Sequence, residues 1–401
     1  MADNNENKVL NVPHLRFPEF SGEWNKYTIN DLATVVGGGT PDTTVKSYWG
    51  GDIQWFTPSE IGKNKYVDFS LRTITRDGLD NSSAKLLPLH TILLSSRATV
   101  GECSIASNEC TTNQGFQSLI AKQCNIDFLY YLIQTKKKDL IRNACGSTFL
   151  EISANEIRKI KVAVPVQNEQ EQIAKLLSLI DERIATQNKI IEDLKKLKSA
   201  ISKYLFARKD LLETTICLSN IATLKNGYAF QSGKYNALGK WKILTITNVP
   251  GERYINDEDC NCIINLPNDI QDHQVLKEGD ILISLTGNVG RVSLCKNGNY
   301  LLNQRVGLLQ LAKNVNQEFL YQILSSQRFE NSMIACGQGA AQMNIGKGDV
   351  ENYVLPYSSN GNNILFAAKI LHSYDECIIN ELRRLTLLTM QKQYLLTQMF
   401  I

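Results

Sequence analysis

Basic and hydrogen-bonding side chains gather near the turns predicted in two stretches of the sequence. Lysine and arginine can sit on phosphate oxygens, while arginine, serine, threonine and glutamine can offer paired donors and acceptors to the edges of bases. For each residue alone, a solvated surface role is an equally good account. The predicted DNA contacts are Lys63, Lys65, Arg72, Arg76, Arg97, Ser147 and Thr148 in the first stretch, and Arg253, Arg291, Arg305, Gln338, Gln342 and Lys347 in the second.

The residue patterns that catalysis would need are missing from the sequence. The glycine run 37–39 lacks the spacing of a dinucleotide loop, Gly346-Lys347 lacks the upstream glycine of a phosphate loop, and there is no Asn/Asp-Pro-Pro-aromatic sequence. The ten cysteines form no Cys-x-x-Cys pair, and four histidines leave little capacity for zinc binding or acid–base chemistry. We therefore predict no catalytic residue, no metal site and no cofactor bound by this chain.

The stretches that carry the candidate contacts belong to a sequence that occurs twice. Residues 92–101 reappear as residues 281–290, and residues 174–182 reappear as residues 368–376. The offset between the copies changes by only a few residues, so two copies of one unit fill nearly all of the chain. Such a duplication predicts a molecule with pseudo-two-fold symmetry, which suits a two-sided target such as a DNA duplex.

Some positions are kept in both copies and others are not. Asn113-Gln114 recurs as Asn303-Gln304, and we predict that these pairs pin turns by hydrogen bonding. Positions that differ between the copies are better candidates for reading bases, and Arg97 against Thr286 is one of them.

Each copy ends in a long segment with helical spacing. Apolar residues recur at seven-residue steps with a second series beside them, the pattern of a helix that lays an apolar seam on another helix. The first helix would be roughly 55 Å long, which is too long for its own repeat to cover. We predict that the two helices pair antiparallel; packing of each helix on its own globular unit is the alternative. The predicted seam residues are Ile173, Leu177, Ile180, Ile184, Ile191, Leu194, Ile201, Ile370, Leu371, Ile378, Leu385, Leu388 and Leu395.

The overall composition is that of an ordinary globular protein with two or three domains. The chain has 401 residues, of which 43% are hydrophobic and 21% charged, with a formal net charge of +3. No run approaches the roughly 18 apolar residues of a membrane span, and the N-terminus lacks the features of a signal peptide. We therefore expect a cytoplasmic protein with reduced cysteines.

The order of these parts resembles the DNA-specificity subunit of type I restriction–modification systems. Ile29-Asn30-Asp31-Leu32-Ala33 leading to Gly38-Gly39-Thr40-Pro41 is similar to the opening of a target-recognition domain in that family. Its counterpart in the second copy is Leu218-Ser219-Asn220-Ile221-Ala222. Pro165 followed by Glu169-Gln170-Glu171-Gln172 resembles the junction into the family's central helix, whereas the second junction, after Pro356, lacks that Glu/Gln-rich step.

The resemblance implies an α+β fold. Two repeated α/β target-recognition domains would be separated by a pair of long antiparallel helices forming a coiled-coil spacer, with pseudo-two-fold symmetry. The expected segments are an N-terminal leader (1–26), target-recognition domain 1 (27–165), the central long helix or conserved region 1 (166–210), target-recognition domain 2 (211–357), and the C-terminal long helix or conserved region 2 (358–401).

The resemblance also implies a function. The chain would be a non-catalytic subunit that reads a bipartite, asymmetric target in double-stranded DNA, with one half-site per recognition domain and a gap set by the helical spacer. Its expected partners are two modification (methyltransferase) subunits that use S-adenosylmethionine to methylate adenine, and restriction/translocase subunits that use ATP and Mg²⁺. The alternatives are an orphan or phase-variable specificity chain, and a coiled-coil adaptor that binds protein without DNA readout.

Overall fold

The structure of the chain, a computed structural model, describes residues 11–146, 150–337 and 343–401. Contacts divide it into two compact units. The first unit contains the described residues up to Asn188 together with Arg384–Ile401, and the second contains Lys189–Arg383. Each unit therefore combines one globular part with a segment of each long helix.

The globular part of the first unit contains three sheets within the described residues. A two-stranded ribbon at its base pairs β1 with β10, a five-stranded sheet has the order β2-β9-β6-β7-β4, and a three-stranded sheet has the order β5-β3-β8. The strands are β1 (Asn25–Thr28), β2 (Ala33–Gly37), β3 (Trp49–Phe56), β4 (Tyr66–Val67), β5 (Arg72–Ile74), β6 (Ile92–Leu94), β7 (Cys103–Ala106), β8 (Cys110–Thr112), β9 (Gln117–Ala121) and β10 (Lys161–Val164).

Short helices lie between the sheets of this globular part and the long helices. Asn125 caps the helix that packs on the five-stranded sheet, because its side chain accepts a hydrogen bond from Phe128 N at 2.9 Å. That helix turns Phe128, Leu129 and Leu132 into the main core of the unit. The helices are α1 (Ile29–Leu32), α2 (Arg76–Asp80), α3 (Ile126–Thr135), α4 (Lys137–Arg142) and α5 (Ala154–Lys159).

The first long helix, α6 (Gln167–Ala207), has 41 residues and runs from the first unit into the second. It begins and ends inside the predicted limits of 166–210. Its uninterrupted length follows from a sequence without glycine or proline, the two residues that most often break a helix.

The globular part of the second unit repeats the plan of the first. A ribbon pairs β11 with β20, one four-stranded sheet has the order β12-β19-β16-β17, and another has the order β14-β13-β18-β15. The strands are β11 (Thr214–Cys217), β12 (Ala222–Asn226), β13 (Trp241–Leu244), β14 (Asn261–Ile263), β15 (Val275–Leu276), β16 (Ile281–Ser284), β17 (Val292–Leu294), β18 (Tyr300–Leu302), β19 (Val306–Leu311) and β20 (Val354–Tyr357).

The helices of the second unit also correspond to those of the first. Asn316 caps the helix α7 (Gln317–Leu324) by accepting a hydrogen bond from Phe319 N at 2.9 Å, as Asn125 does for α3. The chain continues through α8 (Gln327–Cys336), α9 (Lys347–Glu351) and the second long helix, α10 (Gly361–Gln398), which has 38 residues. The globular part is thus inserted between the two long helices along the chain.

The long helices run antiparallel in each unit. In the first, Leu177 near the start of α6 shares a core cluster with Leu395 at the end of α10. In the second, Leu205 at the end of α6 shares a cluster with Leu371 near the start of α10. The predicted pairing of the two helices is therefore confirmed, and the same clusters include residues of the globular parts, such as Phe128 in the first unit.

The predicted seam residues all lie in the interior or at its margin. Burial of the apolar seam is what stabilises helices of this length, because intrinsic helix propensity alone contributes little. Ile173, Leu177, Ile180, Ile191, Leu371, Ile378 and Leu395 are buried, while Ile184, Leu194, Ile201, Ile370, Leu385 and Leu388 are half-buried.

The limits of the five segments expected from the sequence stay a prediction. The two compact units are a different division of the chain, because each unit contains part of both long helices. Within the residues that the structure describes, no helix has the length and apolarity required to cross a membrane.

Truncation of the seam should destabilise the first unit. Leu177→Ala is expected to lower its free energy of unfolding by about 2–5 kcal/mol, because the side chain is fully buried and leaves a cavity. Leu179→Ala on the same helix is the control, since Leu179 is 49% exposed. Denaturant unfolding followed by circular dichroism measures both, and equal effects of the two variants would contradict burial of the seam at Leu177.

Candidate nucleic-acid interface

Three segments of the first globular part meet through their backbones: residues 95–98, residues 113–116, and residues 145, 146 and 150–152. Ser96 joins them, because its N–H donates to Gly115 O at 2.8 Å and its carbonyl accepts from Ile152 N at 2.9 Å. Ala98 N also donates to Leu150 O at 3.1 Å. We call these segments, with their counterparts below, the turn cluster.

The second globular part builds the same cluster from residues 284–287, residues 303–306, and residues 337 and 343–345. Leu285 takes the place of Ser96: its N–H donates to Arg305 O at 3.0 Å and its carbonyl accepts from Ile345 N at 2.9 Å. Gly287 N donates to Met343 O at 3.0 Å. These three backbone hydrogen bonds are therefore equivalent in the two units, so the turn clusters share one backbone frame.

The two Asn-Gln pairs lie in this frame and hold its central turn. Asn113 Oδ1 accepts a hydrogen bond from Gly115 N at 2.9 Å, and Asn303 Oδ1 accepts one from Arg305 N at 3.2 Å. The prediction that the asparagines pin turns is confirmed. Gln114 adds a contact in the first unit, since its Oε1 accepts a hydrogen bond from Thr40 Oγ1.

The strands next to these turns also correspond in position. The backbone N–H of Asn113 donates to Phe56 O at the end of β3, and that of Asn303 donates to Leu244 O at the end of β13, over 3.0 and 3.2 Å. Phe56 and Leu244 are therefore equivalent positions, and β3 can be aligned with β13 residue by residue.

Glycine is required where the chain crosses the central turn. A Cβ atom on Gly38 would lie 2.0 Å from Asn113 O, and one on Gly227 would lie 2.1 Å from Asn303 O. No larger residue fits at such distances without movement of the backbone. Gly38, which belongs to the sequence similar to a recognition-domain opening, and Gly227 thus let two backbones approach each other.

Several predicted contacts lie on or beside the turn cluster. Arg97 is about half exposed and its Nε lies 3.8 Å from Glu151 Oε2. Arg305 is exposed on the central turn of the second unit, and Lys347 follows the last segment at the start of α9, with Nζ 3.7 Å from Glu351. Arg97 and its counterpart Thr286 each form a β-bridge to the last segment of their cluster.

Other predicted contacts lie outside the cluster or outside the described residues. Lys63 is exposed in the bend before β4, Arg76 is exposed on α2 next to Asp80, and half-buried Arg291 lies 3.5 Å from Glu330. Arg72 is exposed on β5. The candidates that lie outside the described residues are Ser147, Thr148, Gln338 and Gln342.

Lys65 is part of a network that fixes the first globular part on the long helices. Its side chain is only 9% exposed, and Nζ lies 2.7 Å from Asp127 Oδ1 and 2.6 Å from Ser178 Oγ on α6. On the same helix, Asp181 accepts a hydrogen bond from Tyr131 at 2.7 Å and is paired with Lys392 of α10 at 2.7 Å.

Arg253 occupies the equivalent place in the second unit. Its guanidinium lies 2.6 Å from Glu318 and 2.9 Å from Asp375 on α10, and its side chain is 8% exposed. Asp375 also accepts hydrogen bonds from Gln322 at 2.6 Å and from Lys198 of α6 at 2.5 Å. We call these two networks the helix clamps, centred on Asp181 and Asp375.

The charges within the second clamp stabilise one another. Burial alone would raise the pKa of Glu318, but hydrogen bonds from Arg253 and Gln322, together with the charge of Arg253, outweigh burial and lower it. Burial likewise opposes the charge of Arg253, yet its hydrogen bond to Glu318 and the nearby carboxylates raise its pKa. Both groups are therefore held in their charged forms.

The clamps change the interpretation of two predicted DNA contacts. The side chains of Lys65 and Arg253 are largely buried, and each is paired with carboxylates. Neither side chain is therefore free to contact a phosphate in this conformation. Their geometry supports a structural role. The clamp aspartates were missed at the sequence level, although Asp181 and Asp375 recur at matching places in the repeat, which is a signal that could have found them.

The described residues contain no group of three or more His, Cys, Asp or Glu side chains that could hold a metal ion.

Removal of the clamp carboxylate should destabilise the second unit. Asp375→Asn is expected to lower its free energy of unfolding by about 3 kcal/mol, because Lys198 would lose its carboxylate partner and Arg253 would keep only Glu318. Asp80→Asn is the control, as it breaks an exposed pair with Arg76 and should change stability by less than about 1 kcal/mol. Urea unfolding of both variants measures the difference, and an Asp375→Asn protein as stable as the control would contradict the clamp.

The chain is similar over about half its length to curated relatives. It is 38% identical over 192 residues to the type I restriction enzyme MjaIX specificity subunit of Methanocaldococcus jannaschii, a match that covers 46% of this chain and 44% of that protein. It is 28% identical over 206 residues to the EcoR124I/EcoR124II specificity subunit of Escherichia coli, which covers 49% of this chain and 50% of the relative. The chain thus spans about half the length of the curated relatives it matches.

The fold is also similar to solved structures over nearly the whole chain. The S subunit of a type I restriction–modification system from M. genitalium matches with a TM-score of 0.58 at 18% identity, covering 97% of this chain and 99% of that one. A chain from a structure of type I R-M complex assembly and conformational transition matches with a TM-score of 0.58 at 14% identity, covering 96% and 98%. These likenesses concern the fold alone.

The sequence model described as the type I restriction modification DNA specificity domain matches twice, at residues 21–196 and 213–389. The two matches follow the internal repeat and together take in most of the chain. The chain therefore belongs to the type I restriction–modification DNA specificity family.

Proposed function

We propose that this chain is the non-catalytic DNA-recognition subunit of a type I restriction–modification enzyme. Each globular part would read one half of a bipartite, asymmetric target in double-stranded DNA. The helical segments that link them would set the length of the gap. Family membership supports this proposal, as do the exposed cations and hydrogen-bonding groups beside each turn cluster.

One observation carries the proposal. The turn clusters of the two units share their backbone hydrogen bonds, yet they carry different residues at equivalent positions, such as Gly115 in the first unit and the exposed Arg305 in the second. A frame that is kept while its surface side chains diverge is what two different half-sites would require, because side chains and not the backbone frame discriminate between bases.

The partners are part of the proposal. The relatives are named as specificity subunits of type I restriction enzymes, and one structural neighbour comes from work on type I R-M complex assembly. We infer that this chain joins two modification subunits, which would use S-adenosylmethionine for adenine methylation, and restriction/translocase subunits, which would use ATP and Mg²⁺. Such a complex acts on DNA in the cytoplasm.

Selection from a random duplex library tests DNA recognition directly. The full chain, alone and with modification subunits, is expected to enrich a motif with two different halves and a constant gap. Affinity for that motif should fall as salt rises, because phosphate contacts release counterions. Failure to enrich any motif, together with affinity that does not depend on salt, would instead identify a protein-binding adaptor.

A second experiment tests whether the two globular parts are modular. The hydrogen bonds Ile29 N to Ile160 O, at 3.0 Å, and Leu218 N to Tyr353 O, at 2.8 Å, close the bases of the two globular parts at equivalent places. A chain in which residues 218–353 are replaced by a second copy of residues 29–160 should select a target with two copies of the first half-site. The gap should stay unchanged. The modular proposal fails if the first half-site changes as well.

A further inference from the structure

Arg72, one of the predicted DNA contacts that the structure describes, is an exposed arginine that stacks on tryptophan. Its guanidinium carbon lies 3.6 Å from the centroid of the Trp49 ring and 5.5 Å from that of Trp55. The side chain is exposed, and within the described residues its guanidinium makes no ion pair or hydrogen bond. Stacking therefore fixes the position of Arg72 while its N–H donors remain available.

The aromatic platform beneath Arg72 is itself rigid. The rings of Trp49 and Trp55 meet edge to face at 5.0 Å. The indole of Trp49 donates to Asp42 O at 3.1 Å, and that of Trp55 donates to Gly39 O at 2.9 Å. Each ring is thus held by a hydrogen bond as well as by packing, which is the usual state of a partly buried tryptophan.

The backbone that carries Arg72 is fixed too. Arg72 pairs with Trp55 between β5 and β3. The residues before it are held by side chains: Leu71 N donates to Glu60 Oε1 at 2.6 Å, and Ser70 N donates to Gln54 Oε1 at 2.7 Å. The Arg72 side chain therefore loses little conformational entropy when its guanidinium binds a ligand.

Hydrogen bonds connect this platform to the turn cluster. Gly39, which accepts the hydrogen bond of Trp55, donates its own N–H to Thr112 O at 2.8 Å, directly before the central turn. The next residue, Thr40, donates its hydroxyl to Gln114 on that turn. A ligand that reaches the turn cluster of the first unit is thus close to a preformed arginine.

The ligand chemistry that suits Arg72 follows from its own donors and from the charges of its neighbours. Asp42, whose carbonyl holds Trp49, carries a carboxylate that accepts hydrogen bonds from Thr44 N and Oγ1 at 2.8 and 2.7 Å. The carboxylate is exposed and Lys46 follows four residues later, so these neighbours add no net positive charge that would draw in a phosphate. A flat guanidinium with two parallel donors matches the O6 and N7 acceptors of guanine in the major groove.

We propose that Arg72, stacked on Trp49, reads the major-groove edge of a guanine in the half-site bound by the first unit. The inference rests on the proposed function, and it names one residue that determines specificity within it. In the second unit, the cross-strand pair equivalent to Trp55 and Arg72 is Ile243 and Asn261. That unit therefore has a different side chain at this place, so the guanine contact belongs to one half-site only.

The test measures base preference on the motif that the full wild-type chain selects from random duplexes. Arg72→Lys keeps the charge but loses the two parallel donors, and it should reduce discrimination for guanine at one position of the first half-site by about tenfold or more. Preferences at all other positions should stay unchanged. Arg142→Lys is the matched control, because Arg142 is exposed on the same unit, paired with Asp139 and absent from the predicted contacts, and it should leave every position unchanged.

Two further measurements make the assignment specific. Replacing that guanine with 7-deazaguanine removes the N7 acceptor, so it should weaken binding of the wild-type chain and have no further effect on Arg72→Lys. Trp49→Leu should reduce discrimination at the same position, because the guanidinium loses its platform. Thermal unfolding of each variant checks that the first unit remains folded.

The outcomes separate the inference from the function on which it rests. A wild-type chain that selects no motif overturns the proposed function. A chain that selects a motif, but in which Arg72→Gln lowers affinity for all sequences equally with a smaller salt slope while Arg72→Lys leaves base preference unchanged, overturns the base contact in favour of a phosphate contact. Unchanged affinity and unchanged base preference in both Arg72→Lys and Arg72→Gln would exclude Arg72 from DNA binding altogether.

Discussion

One carboxylate on each long helix holds the parts of each unit together. Asp375 is buried on α10 and receives Lys198 from α6 as well as Arg253 and Gln322 from the globular part. A carboxylate that has left water is costly unless charges and hydrogen-bond donors surround it. Displacement of either long helix or of the globular part would leave this carboxylate without one of its partners, so the positions of all three are linked.

The same requirement explains the direction of the helices. Each long helix carries a clamp aspartate and, at the same separation further along, a lysine: Asp181 and Lys198 on α6, Asp375 and Lys392 on α10. Only antiparallel helices can place each lysine against the aspartate of the other helix, and both pairs are present. The apolar seam supplies most of the favourable burial, while the charges select the orientation and register in which it is buried.

With the globular parts fixed in this way, the turn clusters become preformed surfaces. Their backbones are held by asparagine side chains within the turn and by glycines that let a neighbouring strand pass at close range. Side chains on such a frame can change without loss of the frame, because its hydrogen bonds involve backbone atoms and the two asparagines. The duplicated chain can therefore support two different recognition surfaces on one architecture.

The sequence by itself determined the repeat, the two long helices, their apolar seams and the asparagine turns. These are patterns along the chain: helix geometry brings every third and fourth residue to one face, and a short turn is closed by residues within it. Only the tertiary structure decided which cationic side chains are buried in ion pairs and which are exposed. Lys65 and Arg253 look like surface cations in the sequence, and Arg72 looks no different from them. Their roles depend on carboxylates and indole rings that are distant along the chain and that strand pairing and helix packing bring close. Ion pairs and stacked rings form between groups that are close in space, and spacing along the sequence does not reveal which groups those are.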